Sequence, residues 1–124
     1  MQVSAYPQEQ LAELFKAVSD PTRVRVLATL LGAGELCVCH VETALGLTQS
    51  RASRHLTTLR RAGLVVDRRD GAWVHYSVAK KAEPAIRAVL RVVEQGCAGE
   101  SATAEDVARA VACRDGSGCT GGVR

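Results

Sequence analysis

The sequence predicts a mainly α fold with one small β-hairpin. Three observations carry this expectation. Apolar residues recur at helical spacing up to Gly63, two short runs rich in β-branched and aromatic residues flank an Asp-Gly pair, and a further helical stretch follows. At 124 residues the chain suits one small domain with a single core, without room for a large enclosed substrate pocket as well. Hydrophobic residues make up 47% and aromatics only 3%, so that core is aliphatic.

Leu11, Leu14, Phe15 and Val18 follow i, i+3, i+4, i+7 and predict a first amphipathic helix. Asp20-Pro21, a capping side chain followed by proline in the first turn, opens a second, with Val24, Leu27, Leu30 and Leu31 inward and Gly32 and Gly34 as its stop. Val38, Val41 and Leu45 predict a short third helix ending at Gly46. Thr48 caps a fourth, whose inward positions are Ala52, Leu56, Leu59 and Gly63. Helices three and four, joined by a tight Gly-containing turn, form a helix-turn-helix unit. Leu64-Val65-Val66 and Trp73 to Val78 then read as strands around Arg68-Arg69-Asp70-Gly71, with Asp70-Gly71 as the hairpin turn and two arginines at its tip. Glu83-Pro84 opens a fifth helix with Ile86, Val89, Leu90 and Val93 on one side, closed by Gly96. Residues 1–96 are expected to form the folded domain. Residues 97–124 read as a mobile tail containing one weak helical stretch from about Ala104 to Ala112.

The order helix, helix, helix-turn-helix, hairpin, helix is that of a winged helix-turn-helix. Charge distribution agrees with a polyanionic partner. Residues 48–69 hold six arginines against one acid, Asp67, a balance of +5 where the whole chain carries +3. The outer face of helix four presents Ser50, Arg54, Thr57 and Arg61, flanked by Arg51 and Ser53, without the acids that intersperse with bases on an ordinary solvated helix. Recognition helices set their N-terminal residues against base edges in the major groove while phosphate contacts fix the register. Gln49, Ser50, Ser53 and Arg54 are therefore the candidate base readers, since arginine suits guanine and glutamine suits adenine. Arg51 flanks them, and Arg68 and Arg69 are expected to reach the backbone or minor groove beside the site. Neither a secretion signal nor an apolar run of membrane-spanning length is read in the sequence, which places the protein in the cytoplasm.

Four segments in this order, Ser19 to Arg23, Gly34 to Cys39, Ser53 to Leu56 and Gly71 to Tyr76, resemble those of the ArsR/SmtB family of transcriptional repressors, and within it the arsenic-resistance operon repressors. The resemblance spans about residues 8 to 95. It implies a homodimer joined mainly through the first and fifth helices, bound to an imperfect palindrome in double-stranded operator DNA and released by a metalloid. His55 and His75 match family positions in the recognition helix and wing, which implies DNA contact or packing for them, and His55 joins the expected DNA-binding set.

Cys37-Val38-Cys39 falls at the start of helix three. Thiolates select soft, thiophilic centres, and a helix N-terminus favours the thiolate. Trivalent arsenic or antimony, as arsenite or antimonite, is the expected effector, with cadmium, lead and zinc as alternatives on the same fold. Residues i and i+2 of a helix are separated by ~200° about its axis, so gripping one ion with both sulfurs is expected to distort that turn and shift the recognition helix. The closest family pattern often has a third cysteine three residues on, where this chain has Glu42. Cys97, Cys113 and Cys119 are the candidates for a third donor, and His40 reads as a solvated surface histidine. A thiol redox switch on the same scaffold and a metal-scavenging protein are the competing readings. Catalysis is not expected. Cys39 and His40 are neighbours that diverge on a helix, and no phosphate loop or paired acidic motif accompanies them.

Overall fold

The computed structural model describes residues 6–116. Six helices and three strands follow in order: α1 (Gln8–Ala17), α2 (Pro21–Ala33), β1 (Leu36–Cys37), α3 (Val38–Leu45), α4 (Gln49–Arg61), β2 (Val65–Asp70), β3 (Trp73–Val78), α5 (Pro84–Cys97) and α6 (Ser101–Asp115). Helix starts follow the capping chemistry of the sequence. Asp20 Oδ1 accepts from the Thr22 and Arg23 N–H groups at 2.7 and 3.3 Å, and Thr48 Oγ1 accepts from Arg51 N–H at 3.2 Å. Gly46, at φ 68, closes α3 in the left-handed conformation and sets the tight turn into α4.

The core is aliphatic, as expected. Leu14, Leu27, Leu30, Leu36, Leu56, Leu59 and Leu64 are its fully buried large side chains. They join the inner faces of α1, α2 and α4 to β1 and the chain entering β2. Ile86, Leu90 and Val93 add the buried stripe of α5. Phe15 lies outside this core, 57% exposed, and so does Val92 at 68%. Helical spacing predicts an inward Phe15, but its position on α1 has no partner within the described chain to cover it.

The wing differs from expectation by one residue and one strand. Its two-residue loop is Gly71-Ala72, with Gly71 at φ 63, because strand pairing runs through Arg68↔His75 and Arg69↔Val74 to Asp70↔Trp73. Both arginines therefore sit in β2 rather than in the turn. Gly at the first loop position followed by a residue of ordinary negative φ is the type II′ pattern, which matches the right-handed twist of the strands. The sheet has a third strand, in the order β1-β3-β2, with Leu36↔Tyr76 and Cys37↔His75 paired antiparallel.

Residues 101–115, expected as a weak helix within a mobile tail, form α6, a helix of 15 residues docked on α2, α3 and β1. Asp106, only 2% exposed, accepts from Arg25 at 2.7 and 2.9 Å and from Arg109. Arg109 Nε also donates to Ala44 O at 2.8 Å, and Arg114 Nη1 donates to the carbonyls of Ala33 and Glu35. These bonds give a polar, alanine-rich segment the anchorage that its apolar content does not supply. Cys119 lies outside the described residues.

Candidate nucleic-acid interface and thiol site

The outer face of α4 is built by what the inner face buries. Ala52, Leu56 and Leu59 are 0% exposed, which fixes the helix rotation and turns Gln49, Ser50, Arg51, Arg54, Arg60 and Arg61 to solvent, with Ser53 half-buried beside them. Gln49 and Ser50 occupy the first turn, where N–H groups and the positive end of the helix dipole also face outward. Together with β2, whose Arg69 is exposed, this makes a basic surface of recognition helix and wing.

Of the residues assigned to that surface, one turns inward and one is engaged by an acid. His55 is 8% exposed and faces inward, where Arg23 Nη1 lies 3.4 Å from its Nδ1. A guanidinium can only donate, so Nδ1 accepts and the ring is neutral with its proton on Nε2. Burial is the main cause that pushes its pKa down; Asp20, next in size, pulls the other way, and the positive charges of Arg23, Arg51 and Arg54 each add a smaller downward push. Arg54 and Thr57 lie three positions apart on the outer face, but position 55 turns back toward α2, where His55 packs against Arg23. Arg68 is exposed but engaged. Its Nε and Nη2 donate to the two carboxylate oxygens of Glu35 at 3.0 and 2.7 Å, and this bidentate pair holds the Glu35 carboxyl below its usual range.

Cys37 and Cys39 are brought together at the junction of β1 and α3, 5% and 4% exposed. Cys37 is the extended residue that caps α3, at φ −73 and ψ 157, and Cys39 is the second residue of the helix. The expectation that both sulfurs ride on one helical turn is therefore corrected. Helical geometry constrains Cys39 alone, and the Cys37 side chain leaves from strand backbone. Cys37 N–H donates to His40 Nδ1 at 2.9 Å. His40 is thus half-buried and tied to the cap, not a solvated surface histidine, and burial lowers its pKa. Two cysteine side chains and the His40 ring meet at the start of α3. Such a donor set suits a soft ion. Among the described residues, no group of three histidine, cysteine or acidic side chains is already arranged to hold a metal. Cys97 ends α5, half-buried, and Cys113 is buried on α6.

Sequence reasoning missed β1, the Glu35–Arg68 pair and the docking of α6. Only the last had a local signal, five alanines between 102 and 112 with Asp106 and Arg109 at i, i+3.

A helix-turn-helix with a basic outer face, a β-wing and no helix among the described residues long and apolar enough to cross a membrane defines a DNA-binding regulator. The profile of the bacterial regulatory proteins of the arsR family matches residues 20–66. Arsenic resistance transcriptional regulator ArsR1 of Pseudomonas putida is 39% identical over 99 residues, 75% of this chain and 77% of that protein. The arsenical resistance operon repressor of Escherichia coli is 39% identical over 105 residues, covering 72% and 90%. A cadmium resistance regulatory protein CadC homolog of Staphylococcus aureus is 41% identical over 68 residues, 55% and 56% of the two chains. Among solved structures, the transcriptional repressor BigR of Xylella fastidiosa superposes with a TM-score of 0.62 at 32% identity, over 74% of this chain and 88% of that one. A homodimeric winged helix-turn-helix DNA-binding domain of Mycobacterium bovis gives 0.58 at 34% identity, over 70% and 80%. The chain belongs to the ArsR family: it is a winged helix-turn-helix transcriptional regulator, not an enzyme.

Proposed function

We propose that this repressor answers to a metalloid: it holds operator DNA as a homodimer and lets go when Cys37 and Cys39 take up trivalent arsenic or antimony. The observation that carries this reading is the pair of buried thiols at the one junction that belongs to both DNA-contacting parts. Cys37 is laddered to wing strand β3, and Cys39 lies in α3, which packs against recognition helix α4. Drawing the two sulfurs onto a single centre twists that junction, because β1 and α3 hold their Cα–Cβ directions by separate hydrogen-bond patterns. The twist reaches the wing through Cys37↔His75 and α4 through the packed face of α3. A coupling of ~1–3 kcal/mol between the two sites is the ordinary range for such linkage.

Gln49, Ser50, Ser53 and Arg54 read bases, Arg51 and Arg69 meet phosphates, and the exposed apolar side chains of α1 and α5, Phe15 and Val92 among them, join the two protomers. The cytoplasm, where thiols stay reduced, is the compartment in which such a sensor works. The likeness to a cadmium regulator keeps cadmium as the second candidate effector.

Anisotropy of labelled upstream promoter DNA, at fixed salt with reduced protein, tests this reading as arsenite, antimonite, cadmium, zinc and peroxide are titrated separately. Release by arsenite from the wild type, but not from Cys37→Ser or Cys39→Ser, is expected. Operator binding that arsenite leaves untouched, with release by cadmium or peroxide instead, overturns the metalloid assignment.

A further inference from the structure

We propose that Cys113 of α6 supplies the third thiolate of the effector site, closing with Cys37 and Cys39 a three-sulfur seat for trivalent arsenic. The inference rests on the reading of Cys37 and Cys39 given above and adds to it the identity of the missing donor.

Two anchors fix how α6 lies along α3. Arg109 donates to Ala44 O, near the end of α3, at 2.8 Å, and Arg114 reaches Glu35 O, before its start, at 3.4 Å. The two helices therefore run antiparallel. Four residues on from Arg109, one helical turn and ~6 Å along the axis, comes Cys113 on the same face. The same distance back from Ala44 along α3 arrives at His40, in the first turn, directly after Cys39. Burial agrees: Cys37, Cys39 and Cys113 are 5%, 4% and 5% exposed, on three elements packed together. Cys97 is set apart from them. It lies half-buried beside Ala28, Leu31, Gly32 and Val107, at the opposite end of α6 from residue 113.

Three thiols match the valence of the ion. Condensation of arsenous acid, As(OH)₃, with three thiol groups forms three As–S bonds, breaks three As–O bonds and releases three waters. Arsenic stays trivalent, so no oxidant or reductant is involved. As the described residues hold no ready-made group of three, the sulfurs converge on binding, and α6 is drawn toward the β1–α3 junction as they do. The C-terminal helix thereby becomes part of the sensor.

The test compares arsenite, which can take three thiols, with phenylarsine oxide, which takes two. X-ray absorption at the arsenic edge counts sulfur neighbours in the reduced full chain, and promoter anisotropy reads release. Wild type is expected to show three sulfurs, and Cys113→Ser two sulfurs and one oxygen. Release of Cys113→Ser should need at least roughly tenfold more arsenite, as losing even an outer-sphere partner costs a metal site that much. Its response to phenylarsine oxide should stay as in wild type, and Cys113→Ala should behave alike. Three sulfurs remaining in Cys113→Ser, or unchanged arsenite sensitivity, overturns the proposal. Loss of the phenylarsine oxide response as well overturns it too, by showing that Cys113 serves the fold. Failure of the underlying sensor reading looks different: Cys37→Ser and Cys39→Ser would then keep their full response to both compounds.

Discussion

Asp106→Ala should release α6 from the body of the protein while leaving the remainder folded. The carboxylate is 3% exposed and accepts three hydrogen bonds from two guanidinium groups, at 2.7 and 2.9 Å from Arg25 and 2.5 Å from Arg109. Hydrogen bonds to charged groups each contribute about 1.5–3 kcal/mol when both partners are desolvated. Here Arg25 and Arg109 are 45% and 48% exposed, so they keep much of their hydration and lose less than buried charges would on losing their partner. The net cost is about 2–3 kcal/mol, and it falls almost wholly on α6, since Asp106 is, among the described residues, the one buried acid by which that helix meets α2. Local opening of α6 should therefore rise roughly 30- to 150-fold, at 1.4 kcal/mol per factor of ten. Amide hydrogen exchange of residues 101–115 measures this, with α2 and α4 as internal references and the exposed Glu105→Ala as the control expected to change nothing. Protection of α6 within twofold of wild type in Asp106→Ala would refute the reasoning, because the helix would then be held without the Asp106 carboxylate, by its apolar contacts and the bonds of Arg109 and Arg114 to backbone carbonyls.

Other expectations follow the same logic. Arg54→Ala should weaken operator binding by about 1–3 kcal/mol and flatten its base preference, whereas Arg69→Ala should weaken all sequences alike and reduce the salt slope by about one; anisotropy across a salt series separates the two. Leu56→Ala, at a site 0% exposed, should cost about 2–5 kcal/mol in urea unfolding and lower DNA affinity by loosening α4. His55 is held neutral by burial, with a pKa below 6.5, so the unfolded chain takes up the proton first. Its contribution is complete above about pH 6.5 and is lost as pH falls through the folded value. Thermal unfolding from about pH 7.5 down to about pH 5 should accordingly show a smaller loss of Tm in His55→Gln than in wild type, and an equal loss would remove His55 from the account.

Elements with strong local signals are legible in the amino-acid sequence alone. The Asp20 and Thr48 caps, the Gly46 stop and the stripes on α2, α4 and α5 depend on chemistry within a few residues, and they fall where the sequence places them. What is not legible depends on distant partners. A two-residue strand such as β1 has no periodicity to read, and exists because β3 offers it an edge. The helix α6 has good propensity but little apolar surface, and Arg25, 81 positions away from Asp106, is what docks it. The wing turn slips by one residue because Asp70-Gly71 and Gly71-Ala72 both satisfy a two-residue loop, and pairing of Val65 with Val78 decides between them. The basic face of α4 is readable from spacing, but the inward turn of His55 and the capture of Arg68 by Glu35 are not. Both require knowing which helix or loop lies opposite.

The segment from Ala33 to Leu45 is restrained from two sides, and under the proposed function this is what gives the cysteine junction its leverage. On the C-terminal side, Arg114 holds the carbonyls of Ala33 and Glu35, and Arg109 holds that of Ala44. On the wing side, β3 pairs with Leu36 and Cys37, and Arg68 takes both carboxylate oxygens of Glu35. A loop free to relax would absorb a change at Cys37 and Cys39 locally, with nothing passed to DNA. With three of its carbonyls, its strand edge and its acidic side chain engaged, the junction is tied to its partners, and those are the wing and α6. Arg68 shows the consequence in one side chain. Its Nε and Nη2 serve the two carboxylate oxygens of Glu35, so the wing strand and the loop that precedes the cysteines are joined by one ion pair. On the proposed sensor reading, linkage is reciprocal: DNA that favours one position of the wing alters the affinity of the thiols for their ion by the same factor.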